Sequence, residues 1–227
     1  MKHEDLSSVH AQHVVSARSV RARSIYRTWG KRALDLVLSL IVLPLVLTVC
    51  FGIWIMHRGS NQKLFYSQPR VGKNGKIFNC YKFKTMVDDA ESVLDDLCQR
   101  DPKIKAEWDT YQKLRNDPRI TSAGHFLRKT SLDELPQVFN VLRGDMSLVG
   151  PRPFMVDQDD LYRAAGGRAY YQMKPGITGK WQVEGRGKSS FQSRVQFDES
   201  YHRNVSMEHD VSLMFSTLRV VIGRSGS

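Results

Sequence analysis

The sequence predicts a mostly helical α+β protein with an N-terminal membrane helix re-entrant at a proline. A small β-hairpin and interfacial amphipathic helices follow it, gathered around a cytoplasm-facing domain. Three observations predict this. Ala33–Met56 is almost wholly apolar, with Asp35 as its only charge. Two aromatic, strand-like runs flank Gly72-Lys73-Asn74-Gly75, a strong turn signal. Several later segments space their apolar residues as a helix does.

The chain of 227 residues has room for a membrane segment plus one domain. Its net charge is +11, and residues 1–32 hold seven Lys/Arg against Glu4 and Asp5. That balance suits an anionic partner. No zinc-finger spacing or RNA-binding aromatic motif accompanies it, so the expected partners are membrane lipids and not nucleic acid. Cys50, Cys80 and Cys98 are odd in number and not spaced as metal ligands, which points to a reducing, cytoplasm-facing protein. The first 30 residues do not read as a signal peptide. The expected division is a basic disordered arm over 1–28, a membrane helix over 29–58 and a cytoplasmic domain over 59–227.

The apolar run, as a straight helix of 24 residues, is about 36 Å long and would cross a hydrocarbon core of about 30 Å. Pro44 near its middle predicts a kink. Basic residues flank it on both sides, Lys31-Arg32 before and Arg58 and Lys63 after. One basic flank is expected of a span, so a re-entrant hairpin is favoured over a crossing. Asp35, one turn after Arg32, is expected to pair with it near the headgroups.

In the hairpin's second strand, Ile77, Tyr81 and Phe83 share one face, while Lys82 and Lys84 share the other. Residues 88–115 read as helix, interrupted at Asp101-Pro102, with Ile104, Trp108, Tyr111 and Leu114 as a stripe. The acids Asp88, Asp89, Glu91, Asp95 and Asp96 read as a solvated face. A helix is expected around 155–171. The last segment carries Val211, Met214, Phe215, Leu218 and Ile222 on one side, a stripe suited to the headgroup plane, to the domain, or to a second copy in a homo-oligomer.

Ser131 to Pro153, SLDELPQVFNVLRGDMSLVGPRP, carries the chemistry. Ser131-Leu132-Asp133-Glu134 fits a capping box, and taken alone that is the favoured reading. The same place suits a phosphate, with Asp133 as an oxygen nucleophile or metal ligand and Glu134 beside it. If a nucleoside diphosphate binds there, attack by aspartate gives an acyl phosphate and expels a nucleoside monophosphate. Mg2+ and arginine forks would neutralise the developing charge. Arg128 and Arg152 are the candidates, the latter fixed between Pro151 and Pro153.

KRALD, YKFKTM, LRKTSLDELPQVFNVLRGDMSLVGPRP and KPGITGKWQVEGR, in this order, resemble the bacterial sugar transferases, the monotopic polyprenyl-phosphate phosphoglycosyltransferases. The likeness runs from about Lys31 to the C-terminus and is closest to short exopolysaccharide-initiating forms. It implies a ping-pong transfer of sugar 1-phosphate from a UDP-sugar to undecaprenyl phosphate, with release of UMP, at the cytoplasmic face of a bacterial inner membrane. It implies Asp133 as nucleophile, Glu134 with Mg2+ (Asp133 as its further ligand), and Lys82, Arg128 and Arg152 on substrate phosphates. Lys174, Trp181, Gln182, Glu184 and Arg186 are candidates for sugar or nucleotide contacts, and galactose is favoured over glucose or an N-acetylated sugar. The chain departs from the family in three places. Leu43 replaces the serine before the helix-breaking proline, the Asp35–Pro44 interval is about one turn short, and Lys174 replaces an arginine. The competing class is a non-catalytic membrane-docked scaffold.

Overall fold

The computed structural model describes residues 24–57, 63–185 and 190–223. Most of the predicted arm, residues 1–23, lies outside these. Its end does not fit the expected boundary at 28. Helix begins at Ser24, continues through a wide π turn at Tyr26–Gly30, and runs into α1 (Lys31–His57). The cause is Tyr26, a buried apolar ring whose hydroxyl donates to Asp210 at 2.6 Å and so ties the arm's last residues to the domain.

Helix α1 continues across Pro44. Asp35, Ser39, Val46 and Ile53 are its buried residues between 31 and 55. At 100° per residue they fall within about 40° of one another, so one stripe is covered along the helix. Leu40, Ile41, Leu45, Leu47 and Phe51 stand exposed on the remaining surface. The segment is long and apolar enough to cross a membrane. The expected Arg32–Asp35 pair is replaced by better partners. Arg32 donates to the carbonyls of Val141 (2.5 Å) and Leu142 (2.9 Å). Asp35 accepts from Ser147 Oγ (3.0 Å) and the Leu148 amide (2.9 Å).

The hairpin forms as β1 (Phe65–Val71) and β2 (Ile77–Phe83), antiparallel, with Gln68 opposite Cys80 and Arg70 opposite Phe78. Asn74 takes φ 58° and Gly75 φ 74° in the turn, conformations open to asparagine and glycine. The predicted helix of 88–115 is split into α2 (Ala90–Arg100) and α3 (Pro102–Tyr111), because Asp101 caps the second by accepting from the Lys103 amide. Helix α4 (Ser122–Lys129), a 3-10 turn at Leu132–Glu134 and α5 (Gln137–Arg143) follow. The helix expected around 155–171 is α6 (Asp159–Ala164) between 3-10 turns at Val156–Gln158 and Ala169–Gln172.

Strands β3 (Ser147–Val149) and β4 (Gly176–Thr178) pair in parallel. Their contact is so close that a Cβ on Gly176 would stand 2.1 Å from the Gly150 nitrogen. Only glycine allows it, and the amides of Gly150 and Gly176 bond Thr178 and Pro151 carbonyls at 2.8 Å. This fixes the backbone that leads into Arg152. Helices α7 (Arg194–Asn204) and α8 (Met207–Ile222) complete the fold. Phe154, Tyr162, Tyr170, Phe191, Val195 and Val71 make one core cluster. Tyr201, Val205, Leu213, Val149 and Tyr26 make another, against α1.

Candidate active site

The capping-box expectation fails. Ser131 has φ 57° and makes no side-chain cap bond, so it cannot close the box. The Glu134 carboxylate turns to charge instead. Its Oε1 accepts from Lys82 Nζ at 3.0 Å and from Arg152 Nη2 at 2.8 Å. Two cations outweigh one backbone amide as partners for a half-buried carboxylate.

Each participant is held by an identifiable local cause. Lys82 sits on β2, whose backbone is pinned by Asn140 of α5. Its Oδ1 accepts from the Tyr81 amide (3.0 Å) and its Nδ2 donates to the Asn79 carbonyl (2.7 Å). Asn140 is fully buried. Arg128 ends α4, which packs against Thr85 so tightly that a Cβ on Gly124 would meet the Thr85 oxygen at 2.1 Å. From there Arg128 Nε donates to Thr85 Oγ1 at 3.0 Å. Arg152 is placed from behind by Arg194, whose Nη2 donates to the Arg152 carbonyl. The Arg194 guanidinium lies over Phe154, Phe191 and Trp181, at 5.1–5.4 Å from their ring centres.

Asp133 is buried, and its carboxylate accepts no hydrogen bond among the described residues. Burial is the largest influence on it and raises its pKa. The Glu134 charge adds to that rise, and Lys82, Arg128 and Arg152 oppose it. Glu134 moves the other way despite its own burial, because Arg152 and Lys82 hold its carboxyl well below the usual range. The neighbouring acids are therefore unlike. Glu134 is a firmly ionised counter-charge, and Asp133 is the more basic and less encumbered oxygen.

The residues flanking the dyad pack against α1. Ile53 of α1, Phe83 and Leu127 form a buried cluster, with Val49, Cys50, Leu132 and Leu135 packed against it. Leu132 and Leu135 bracket Asp133-Glu134 in sequence.

Lys82, Arg152, Asp133 and Glu134 thus converge, with Arg128 acting on Asp133. Lys174 and Gln182 make no bond to the dyad among the described residues. Lys174 Nζ approaches Gly144, which ends α5 on the side away from Glu134, and shares that place with Arg32. Gln182 is buried beside Gly179 with both amide atoms unpartnered among the described residues. Trp181 and Glu184 share its π turn, with Glu184 3.4 Å from Lys180. Arg186 lies outside the described residues. Reasoning from sequence missed Asn140, Thr85 and Arg194. Of these only Asn140 carried a signal, a polar residue inside the apolar run VFNVL.

Cations thus surround a buried aspartate beside an apolar helix long enough to cross a membrane. A family model described as bacterial sugar transferase matches residues 26–224, and the chain belongs to that family. It is 46% identical over 198 residues to an undecaprenyl-phosphate galactose phosphotransferase of Salmonella typhimurium, covering 87% of this chain and 41% of that protein. It is 41% identical over 202 residues to the exopolysaccharide production protein ExoY of Sinorhizobium fredii, covering 87% and 88% respectively. It is 37% identical over 196 residues to a UDP-glucose:undecaprenyl-phosphate glucose-1-phosphate transferase of Escherichia coli, covering 83% and 39%. The chain therefore spans about two fifths of the length of the Salmonella and Escherichia relatives.

Proposed function

We propose that this protein transfers sugar 1-phosphate from a UDP-sugar to undecaprenyl phosphate, through a phosphosugar carried on Asp133. The observation that carries the reading is the condition of Asp133: buried, faced by Lys82, Arg128 and Arg152, and free of hydrogen bonds among the described residues. An Asp133 oxygen attacks the sugar-bearing phosphorus, the bond from that phosphorus to the bridging oxygen breaks, and UMP leaves with that oxygen. The lipid phosphate then attacks the same phosphorus and frees the carboxylate. The surrounding cations stabilise the charge that develops on the phosphoryl oxygens. Galactose is the favoured sugar, supported by the Salmonella relative's name, and glucose is the alternative supported by the Escherichia one. The product would enter exopolysaccharide synthesis.

The residues fit Mg2+, which takes one or two carboxylates and completes its shell with phosphate and water. Asp133, and Glu134 through the oxygen its cations do not use, would hold it. When bound it would neutralise diphosphate charge. Chelation should abolish transfer, and added Mg2+ should restore it.

Re-entry of α1 into one leaflet is supported by its contacts. Arg32 and Asp35 bond to the domain, and Ile53, 18 residues beyond Asp35, joins a core of the same domain. A crossing helix would carry one of these ends about 27 Å away, across the bilayer. Interfacial seating is supported by the exposed Trp29, Met207, Phe215 and Leu218, while Leu213 of the same last helix faces the core. Tags before Lys31 and after Met56 should report the same, cytoplasmic side of the inner membrane; opposite sides would refute re-entry.

The decisive experiment incubates the purified chain with UDP-galactose and undecaprenyl phosphate. UMP release and a phosphosugar adduct are expected, and both should vanish in Asp133→Asn. Undiminished turnover in that variant would overturn the covalent route and leave the scaffold reading.

A further inference from the structure

The hairpin face that carries Lys82 carries a second cation that the mechanism has not used. Directly opposed residues of an antiparallel pair share a face, and alternate residues along a strand do too. The register pairs Tyr66 with Lys82, Gln68 with Cys80 and Arg70 with Phe78. Arg70 and Lys82 therefore project from the same side, toward the Pro151-Arg152-Pro153 strap. Arg70 is bridged through its backbone to Met155, just past that strap.

Its surroundings are unusual for an arginine. Four other buried or half-buried guanidiniums face carboxylates. Arg119 pairs with Asp117 at 2.7 Å, Arg152 with Glu134 at 2.8 Å and Arg194 with Asp198 at 4.0 Å. Even Arg128 faces Asp133 and Asp117. Arg70 makes no ion pair among the described residues. Its Nη2 donates to the neutral amide oxygen of Gln68 at 2.5 Å, and its Nη1 reaches the Pro153 carbonyl only at 3.4 Å. Its Nε is buried with no partner among the described residues. Burial is the largest influence on it and lowers its pKa; the groups acting on it are the Cys80 thiol, the like charge of Arg152, and the hydroxyls of Tyr170 and Tyr66.

Neutral acceptors orient a guanidinium without neutralising it. Burying a cation beside another cation is costly unless an anion completes the set. Lys82, Arg128 and Arg152 act on Asp133, Lys82 and Arg152 pair with Glu134, and Arg70 adds its charge beside Arg152 with no carboxylate of its own among the described residues, leaving positive charge that a phosphate group would balance. We propose that Arg70 is a binding residue of this site and takes a substrate phosphate group alongside Arg152. Gln68 acts as its positioning residue.

The phosphate belongs either to the nucleotide diphosphate or to the lipid acceptor, and the inference rests on the transfer reaction only for that distinction. The test uses the full chain in phospholipid nanodiscs as wild type, Arg70→Met and Arg70→Lys. Inorganic pyrophosphate, titrated calorimetrically, should bind about ten- to a hundredfold more weakly to Arg70→Met, the loss of a charged hydrogen-bond pair. Its melting temperature should be unchanged or higher, because a buried like charge has gone. Arg70→Lys should recover part of the affinity, having the charge without the fork. In transfer assays a raised KM for UDP-galactose assigns Arg70 to the donor, and a raised KM for undecaprenyl phosphate assigns it to the acceptor.

Wild-type pyrophosphate affinity in Arg70→Met overturns the proposal, as does a lowered melting temperature with both KM values unchanged. If Arg70→Met does not fold, Arg70→Lys decides: weaker pyrophosphate binding upholds the proposal and unchanged binding overturns it. If the wild type turns over no UDP-sugar, the proposed function fails and the pyrophosphate titration still judges Arg70.

Discussion

Two buried aspartates sit near lysines in this molecule, and they are used in opposite ways. Asp210 of α8 accepts from the Tyr26 hydroxyl (2.6 Å) and Lys31 (2.5 Å) on one oxygen and from the Tyr201 hydroxyl (2.6 Å) on the other. Asp133 accepts nothing among the described residues, because the nearby lysine and arginine are taken up by Glu134. A fully satisfied buried carboxylate is a fastener, here between the start of the membrane segment and the C-terminal helix. One surrounded by cations but bonded to none retains its lone pairs for chemistry. On the proposed reading, counting hydrogen bonds rather than noting charge separates the structural carboxylate from the reactive one.

The contrast is best broken at its reactive side first. Asp133→Asn should lower transfer by more than about a thousandfold, as removal of a nucleophile does, with folding stability kept or raised. Turnover and chemical denaturation on one preparation would read both. Asp210→Ala should do the reverse. Leaving Lys31 without its partner should cost about 3–5 kcal/mol of stability while the folded fraction still transfers. A variant that folds normally but is inactive would erase the distinction. Glu134→Gln comes next, with about 2 kcal/mol lost as two charge-assisted bonds weaken, together with a fall in kcat. Asn140→Leu should cost about 1–2 kcal/mol by orphaning two backbone groups, and should lower kcat through Lys82.

The pH response should be the smallest effect and the finest test. Glu134 is held below its usual range, so its stabilisation is present above about pH 4.3 and is lost as pH falls from there toward its folded value. Asp133 is raised, so its contribution runs oppositely, being full below about pH 3.9 and lost as pH climbs through its folded value. Melting curves should show Glu134→Gln flattening the acid side and Asp133→Asn removing the loss above it. The acid limb of turnover should lie above the ordinary aspartate range.

The sequence carried the hairpin, because turn chemistry and aromatic strands are local signals. It carried the dyad and its cations through their family blocks. The direction in which Glu134 faces was illegible, since its partners lie 52 and 18 residues away. A four-residue pattern cannot report them. The β3–β4 ladder was hidden for the same reason. It joins two three-residue strands whose closeness depends on Gly150 and Gly176, and their short sequence runs carry no period. Arg32 and Asp35 misled because proximity in sequence suggested a pair, while the folded domain offered each a better partner.

With α1 seated in a membrane as proposed, the cluster joining Ile53 to Leu132 and Leu135 would couple the height of the dyad above the lipid to the anchor itself. A thicker or thinner bilayer would shift α1 against its surroundings, and the residues beside Asp133 would travel with it. On the proposed reading, lipid chain length then becomes a rate-setting variable, acting by geometry on how a lipid phosphate meets the aspartate rather than on the chemistry of either.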